Sequence, residues 1–148
     1  MNVNRLAASA TNHCLTGCGI GEVLGMVLAT WWGWGNAASI ALAVALAFVF
    51  GYSLTLIPLL RAGTALGAAI GIALVADTFS IVTMEIVDNA VLVVWPGALD
   101  AGLRDLLFWA SLAIALAVAW GPTFLVNRAL IRRGKGHALA HSAHGHAH

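Results

Sequence analysis

The chain has 148 residues and a formal net charge of +1; 61% of its residues are hydrophobic and only 9% are charged. Its mean hydropathy of +0.91 is far above that of soluble domains and predicts a single integral membrane domain. The small net charge and the lack of a basic face with interleaved aromatics exclude a nucleic-acid-binding protein. Two cysteines are too few for a disulfide scaffold.

Four apolar runs are long enough to cross a bilayer, which takes about 20 residues in a helix. The predicted spans are residues 14–34, 37–60, 70–95 and 106–126. Two connections are short turns, Gly35-Asn36 and Arg61-Ala62, and the third is a longer loop opened by Pro96-Gly97. Consecutive spans are therefore antiparallel, and we predict an all-α four-helix bundle embedded in the lipid bilayer.

The basic residues predict the orientation, because Lys and Arg are retained in the cytoplasm during insertion. With the N-terminus inside, only Arg104 lies outside. The cytoplasmic basic residues are then Arg5, Arg61, Arg128, Arg132, Arg133 and Lys135. An aromatic belt at the outer interface is predicted from Trp31, Trp32, Trp34, Trp95 and Trp109. We expect an inner (plasma) membrane protein with both termini cytoplasmic, namely residues 1–12 and 134–148.

The first span carries a stripe of functional side chains spaced four residues apart. The stripe consists of Cys14, Cys18, Glu22 and Met26. A thiol pair one helical turn apart, supplemented by His13, is a soft ligand set suited to Cu(I) or zinc. The alternative is that these thiols are packing residues of a membrane helix.

The third span carries Asp77, Glu85 and Asp88, where a membrane helix should have no acid. One such group at the bilayer centre costs roughly 2.5 to 3.5 kcal/mol, so three on one span indicate a site that offsets the cost. Thr78 and Asn89 extend the same polar arc. The alternative is that these acids are protonated or hydrogen-bonded links between helices.

Two ridges of small residues predict how the first and third spans meet. Glycine recurs every fourth residue at Gly17, Gly21 and Gly25 in the first span and at Gly63, Gly67 and Gly71 before and within the third. Such ridges let two membrane helices approach closely. We infer that the two spans pack through them, which would bring Glu22 near the depth of Asp77 and Glu85.

The second and fourth spans are plain apolar helices without a charged group, and the tail after the fourth span is rich in histidine. The tail histidines are His137, His141, His144, His146 and His148. We predict a disordered tail, residues 134–148, that gathers divalent metal ions loosely. A solvated tail without a role is the alternative.

Several short motifs together resemble a family of small bacterial membrane proteins catalogued as domain of unknown function 4396. The resemblance is carried by His13-Cys14-Leu15-Thr16-Gly17-Cys18, Gly21-Glu22, Ala76-Asp77-Thr78, Met84-Glu85-Ile86-Val87-Asp88-Asn89, Pro96-Gly97-Ala98, Asn127-Arg128 and Gly134-Lys135-Gly136-His137. It implies a multi-span membrane protein and carries no activity over to this chain.

The main functional prediction is a pathway for a metal ion or a proton. It is lined by Glu22, Asp77, Thr78, Glu85, Asp88 and Asn89. Four like charges cannot all be ionised in so dry a place, so either a cation binds among them or some are protonated. Because four spans are few to enclose such a route, we expect a homo-oligomer. The second hypothesis is a non-transporting metal-binding or assembly protein that uses the cysteine pair and the histidine tail.

An enzyme is the weakest of the hypotheses. Cysteines four apart on a regular helix are poorly placed to form a disulfide, which disfavours a thiol oxidoreductase. The Glu85-x-x-Asp88 pair has the spacing of a di-metal carboxylate site but lacks the histidine of the Glu-x-x-His motif.

Overall fold

A computed structural model describes residues 2–133, which form four α-helices joined by short connections. The helices are α1 (Val3–Trp32), α2 (Asn36–Arg61), α3 (Leu66–Val94) and α4 (Leu106–Arg132). Each is long and apolar enough to cross a membrane. The predicted all-α four-span fold is confirmed. The predictions for Lys135 and for the histidine tail concern residues outside the described range.

Two helices are longer than the apolar runs that predicted them. Helix α1 begins at Val3 rather than near Cys14, and the Asn2 side chain caps it by accepting a hydrogen bond from the Asn4 backbone N–H at 2.9 Å. Helix α4 continues past residue 126 to Arg132. Hydropathy detects only the apolar part of a helix, whereas backbone hydrogen bonding continues into its polar ends.

Glycine ends the first helix and shapes the second turn. Gly33 and Gly63 have φ values of 70° and 88°, a left-handed conformation that suits glycine. The amide of Trp34 bonds back to Ala29 at 2.9 Å, and the amide of Thr64 bonds back to Leu59 at 3.0 Å, as in a Schellman motif. These tight ends let the chain reverse within a few residues and make consecutive helices antiparallel.

The four helices form a bundle in which α1 and α3 face each other across the shorter diagonal. Each packs against both α2 and α4, and α1 and α3 also touch across the diagonal, whereas α2 and α4 make no contact within residues 2–133. Large apolar side chains such as Phe79, Ile86 and Leu125 face outward, as expected for lipid contact. Any polar group at the α1–α3 diagonal is therefore in the interior of the bundle.

The glycine ridge of α1 packs against α2, so the prediction that two ridges join α1 to α3 is wrong. A Cβ atom on Gly21 would lie 2.3 Å from the Ala47 backbone nitrogen, and one on Gly25 would lie 2.6 Å from Ala43 Cα. On α3, Gly67 and Gly71 meet nothing within 4 Å among the described residues. The two ridges look alike in sequence, but only the one that faces a neighbouring helix brings backbones together.

Candidate functional site

Three carboxylates meet in the interior where α1 crosses α3. Glu22 comes from α1, and Glu85 and Asp88 come from one face of α3, three residues apart. One oxygen of each lies within 4.8 Å of the other two. Their side chains are 7%, 5% and 0% exposed, respectively. We call these three residues the acid cluster; the prediction that Glu22 lies near Glu85 is confirmed.

The acid cluster has few hydrogen-bond donors. Glu22 and Asp88 lie within hydrogen-bond range of each other, and the Cys18 thiol lies within that range of Glu85. Within residues 2–133, no group outside the cluster donates to an oxygen of Glu22 or Asp88. Asn89 donates its side-chain amide to Glu85 Oε2 at 3.3 Å and to the Glu85 carbonyl at 2.8 Å. Buried acceptors without a donor are unfavourable, and adjacent like charges add repulsion. The arrangement therefore favours a bound cation or protons shared among the acids.

A cavity of about 60 Å³ connects the acid cluster to the end of the bundle that holds the α1–α2 and α3–α4 connections. Glu22 and Asn89 lie on its wall together with Asn36 and Ser39, from the start of α2. This volume accommodates water-sized groups beside polar partners. The cavity therefore leads from this end of the bundle, which we call the loop end, as far as Glu22, whose carboxylate oxygens are themselves buried.

The two cysteines lie on the other side of the acid cluster, towards the end that holds the start of α1. Cys14 and Cys18 are both free and buried, and their sulfur atoms are 3.9 Å apart. Cys18 also lies beside the Glu85 carboxylate. We call these residues the thiol pair. Met26 does not join them; it lies on the cavity wall and packs near Phe108 and Leu112.

The remaining predicted residues lie outside the acid cluster. His13 Nε2 is 3.1 Å from the Thr55 hydroxyl, and the same hydroxyl lies beside Asp77. The hydroxyls of Thr78 and Tyr52 are 2.7 Å apart. Thus Asp77 and Thr78 belong to contacts with α2, about two to three turns away from Glu85 and Asp88. Their functional roles, like those of the acid cluster, stay predictions.

Sequence reasoning missed a second buried polar group near the start of α1. Ser80 donates to Asn127 Oδ1, and Asn127 donates its amide to Thr11 Oγ1 at 3.1 Å. Thr11 in turn donates to the Ala7 carbonyl at 2.7 Å. We call Thr11, Ser80 and Asn127 the amide network. No role was predicted for Asn127, although its spacing of four from Thr123 puts both residues on one face of α4, and this face is buried.

The fold and the acid cluster define a multi-pass helical membrane protein with a buried carboxylate site. The model of the family described as domain of unknown function (DUF4396) matches residues 3–136. The chain therefore belongs to this family, and the resemblance drawn from the short motifs is confirmed. Comparisons with curated proteins and with solved structures gave no match.

Proposed function

We propose that this protein binds a cation in the acid cluster and conducts it across the membrane. The observation that supports the proposal is the group of buried carboxylates from two helices, with one oxygen of each within 4.8 Å of the other two. Asn89 and the Cys18 thiol are the donors beside Glu85, and no group outside the cluster donates to Glu22 or Asp88 among the described residues. Ionisable groups inside membrane bundles commonly mark ion or proton pathways. Here three of them converge on one point, so a single positive ion would satisfy them together.

The cavity supports access to the acid cluster from the loop end. With the predicted orientation, both termini are cytoplasmic in the inner membrane, so the cavity faces outward. A cation would reach Glu22 first and then Glu85 and Asp88, which lie across the α1–α3 diagonal. Beyond the cluster the thiol pair follows on α1, towards the predicted cytoplasmic side.

The carboxylate ligands indicate which cations the site would bind and that protons would be displaced. Carboxylate oxygens suit hard cations and protons, and a carboxyl group must lose its proton before it ligates a metal ion. Metal binding would therefore release protons from the acid cluster. Such competition couples the two ions at one site, as an exchanger requires.

The conducting unit is expected to be a homo-oligomer. Four helices with α1 and α3 packed across the diagonal leave a narrow interior, and the described cavity reaches only one side of the acid cluster. A second copy could complete the route. Cross-linking in native membranes measures this directly.

A second candidate function is that of a non-transporting metal-binding or assembly protein. The proximity of the two sulfur atoms, 3.9 Å apart, favours it. In that case the thiol pair and the histidine tail would bind metal for delivery to a partner, and the acid cluster would only link α1 to α3.

Equilibrium binding to the full-length protein in lipid nanodiscs tests the proposal. Mn²⁺ and Zn²⁺ serve as probes, and proton release is recorded in the same titration. Replacing Glu22→Gln or Asp88→Asn should lower affinity at least about 100-fold, because even the outer partners of metal ligands contribute 10- to 100-fold. The matched control is Asp105→Asn, the same carboxylate-to-amide change at an exposed residue that does not line the cavity and whose bond from the Gly102 amide an asparagine oxygen can keep.

The outcomes separate the two candidate functions. Unchanged binding and proton release in Glu22→Gln and Asp88→Asn would show that the acid cluster is structural. Loss of binding only on replacing the thiol pair by serine would favour the non-transporting protein. Flux of the same ions into proteoliposomes then decides between a binding site and a pathway.

A further inference from the structure

We infer that Cys14, Cys18 and Glu85 form a second cation position next to the acid cluster, and that the ion is a thiophilic divalent transition metal such as zinc. The inference rests on the proposed function, since it extends the same site and names its ion. The sequence separated the soft thiols from the hard carboxylates. The structure places them side by side.

The distance within the thiol pair matches that of two ligands on one metal ion. Zinc–sulfur bonds of about 2.3 Å at a tetrahedral angle place two sulfur atoms about 3.8 Å apart. Cys14 Sγ and Cys18 Sγ are 3.9 Å apart, and both side chains are buried on the same face of α1. The pair therefore needs little movement to chelate an ion.

Glu85 would supply the third ligand after a side-chain rotation, because among the described residues only Glu22, Glu85 and Asp88 have ligand atoms that all lie within 4.8 Å of one another. Its carboxylate lies beside Cys18, and its Oε1 atom has no donor other than that thiol although the side chain is nine-tenths buried. The same carboxylate belongs to the acid cluster. Glu85 is thus common to two neighbouring positions, so an ion could pass from the oxygen ligands of Glu22 and Asp88 to the thiol pair without losing Glu85.

This second position determines the class of ion. A site of oxygens alone would suit magnesium, calcium or manganese, whereas thiolates select zinc and other transition metals. Each cysteine that ligates loses the proton of its thiol, so a divalent ion bound by both thiolates releases two protons. The cavity that reaches the acid cluster offers those protons a route towards the loop end.

Co²⁺ titration of the full-length protein in nanodiscs tests the inference. Cobalt bound by thiolate has a sulfur-to-metal charge-transfer band in the near ultraviolet, while its visible bands report bound cobalt in general. The two cysteines of the chain are Cys14 and Cys18, and the histidine tail contains none. The tail therefore cannot produce the ultraviolet band, which requires a thiolate ligand. We expect the band in the natural protein, its loss in the Cys14→Ser/Cys18→Ser variant, and a fall of about tenfold or more in the preference for Zn²⁺ over Mn²⁺.

Single variants keep the test informative if the double variant folds poorly. Cys14→Ser and Cys18→Ser should each weaken the ultraviolet band, and Glu85→Gln should weaken both this band and the visible bands. Glu22→Gln should retain the ultraviolet band, because Glu22 ligates only in the acid cluster. Visible cobalt bands without an ultraviolet band would overturn the thiol position while leaving the acid cluster as a cation site. If Glu22→Gln and Asp88→Asn leave Mn²⁺ binding and its proton release unchanged, the proposed function fails instead, because Mn²⁺ favours oxygen ligands over thiolates.

Discussion

The acid cluster and the amide network are two polar regions of the same bundle interior, and they differ in how their hydrogen bonds are satisfied. Both use α1 and α3, and both are buried. In the amide network, Asn127 pairs with a hydroxyl on each of those helices. In the acid cluster, Glu22 and Asp88 have only each other as hydrogen-bond partners among the described residues, and a bond between them requires a proton on one of the two.

This difference separates a structural role from a binding role. A neutral network whose members satisfy one another links helices and needs no ligand. A group of buried carboxylates with few donors is unfavourable by itself, and a bound cation or proton would offset that cost. We therefore expect the amide network to contribute to stability near the start of α1, and we propose that the acid cluster, nearer the loop end, binds the cation.

The largest expected difference is in the pH dependence of cation binding. A carboxyl group must lose its proton before it ligates a metal ion, so acidification should weaken binding. Each proton displaced changes the apparent affinity about tenfold per pH unit, which corresponds to about 1.4 kcal/mol, and two displaced protons double this free energy. Calorimetric titration of Mn²⁺ at several pH values measures the slope.

Variants assign this slope to the acid cluster. Asp88→Asn should reduce it by about one proton, because an amide carries none to displace. Asn127→Leu should leave it unchanged, since the amide network has no group that titrates. If the affinity of the natural protein for Mn²⁺ does not change with pH, the acid cluster does not bind the cation through its carboxylates, and it would not differ in role from the amide network.

A smaller difference is expected in stability. Asn127→Leu removes two hydrogen bonds between helices, while Thr11 and Ser80 keep contacts with the carbonyls of Ala7 and Ala76. We expect the free energy of unfolding to fall by about 1 to 2 kcal/mol. Reversible unfolding of the full-length protein in mixed detergent measures it.

The control for this loss is Ser53→Ala. Ser53 is partly exposed and bonds only the Val49 carbonyl of its own helix, so a change of a few tenths of a kcal/mol at most is expected. Equal losses in Asn127→Leu and Ser53→Ala would mean that the amide network does not hold the helices together.

The sequence predicts the helices well because their signals are local. Hydropathy locates the four spans, and the short connections determine that neighbours are antiparallel. Acids in an apolar helix are equally conspicuous, so Glu22, Glu85 and Asp88 could be selected one by one. Each of these signals lies within a single helix.

The arrangement between helices is less predictable because it depends on rotation about each helix axis. Gly21 and Gly67 belong to equivalent ridges, yet one packs against a backbone and the other faces outward. Asp77 shares the polar arc of α3 with Asp88, but it lies about three turns earlier in the helix, where its neighbour is Thr55 of α2. Asn127 was missed because a single amide near basic residues gives no pattern. Contacts of this kind are decided by which helices become neighbours.

The smallest expected effect tests whether Asp77 belongs with the acid cluster or with the hydrogen-bonded structural groups such as the amide network. Thr55 is buried between His13 and Asp77, and its hydroxyl lies close to both. Thr55→Val keeps the shape and removes the hydroxyl, which should lower the free energy of unfolding by about 0.6 kcal/mol, the average for hydrogen bonds between membrane helices. Thr83→Val is the matched control, because Thr83 bonds only the Phe79 carbonyl of its own helix.

If Asp77 belongs with the satisfied groups, Mn²⁺ affinity will be the same in both variants. If Thr55→Val instead weakens binding as much as Asp88→Asn does, the ion route extends from the acid cluster past Asp77, and the division between a binding half and a structural half is wrong.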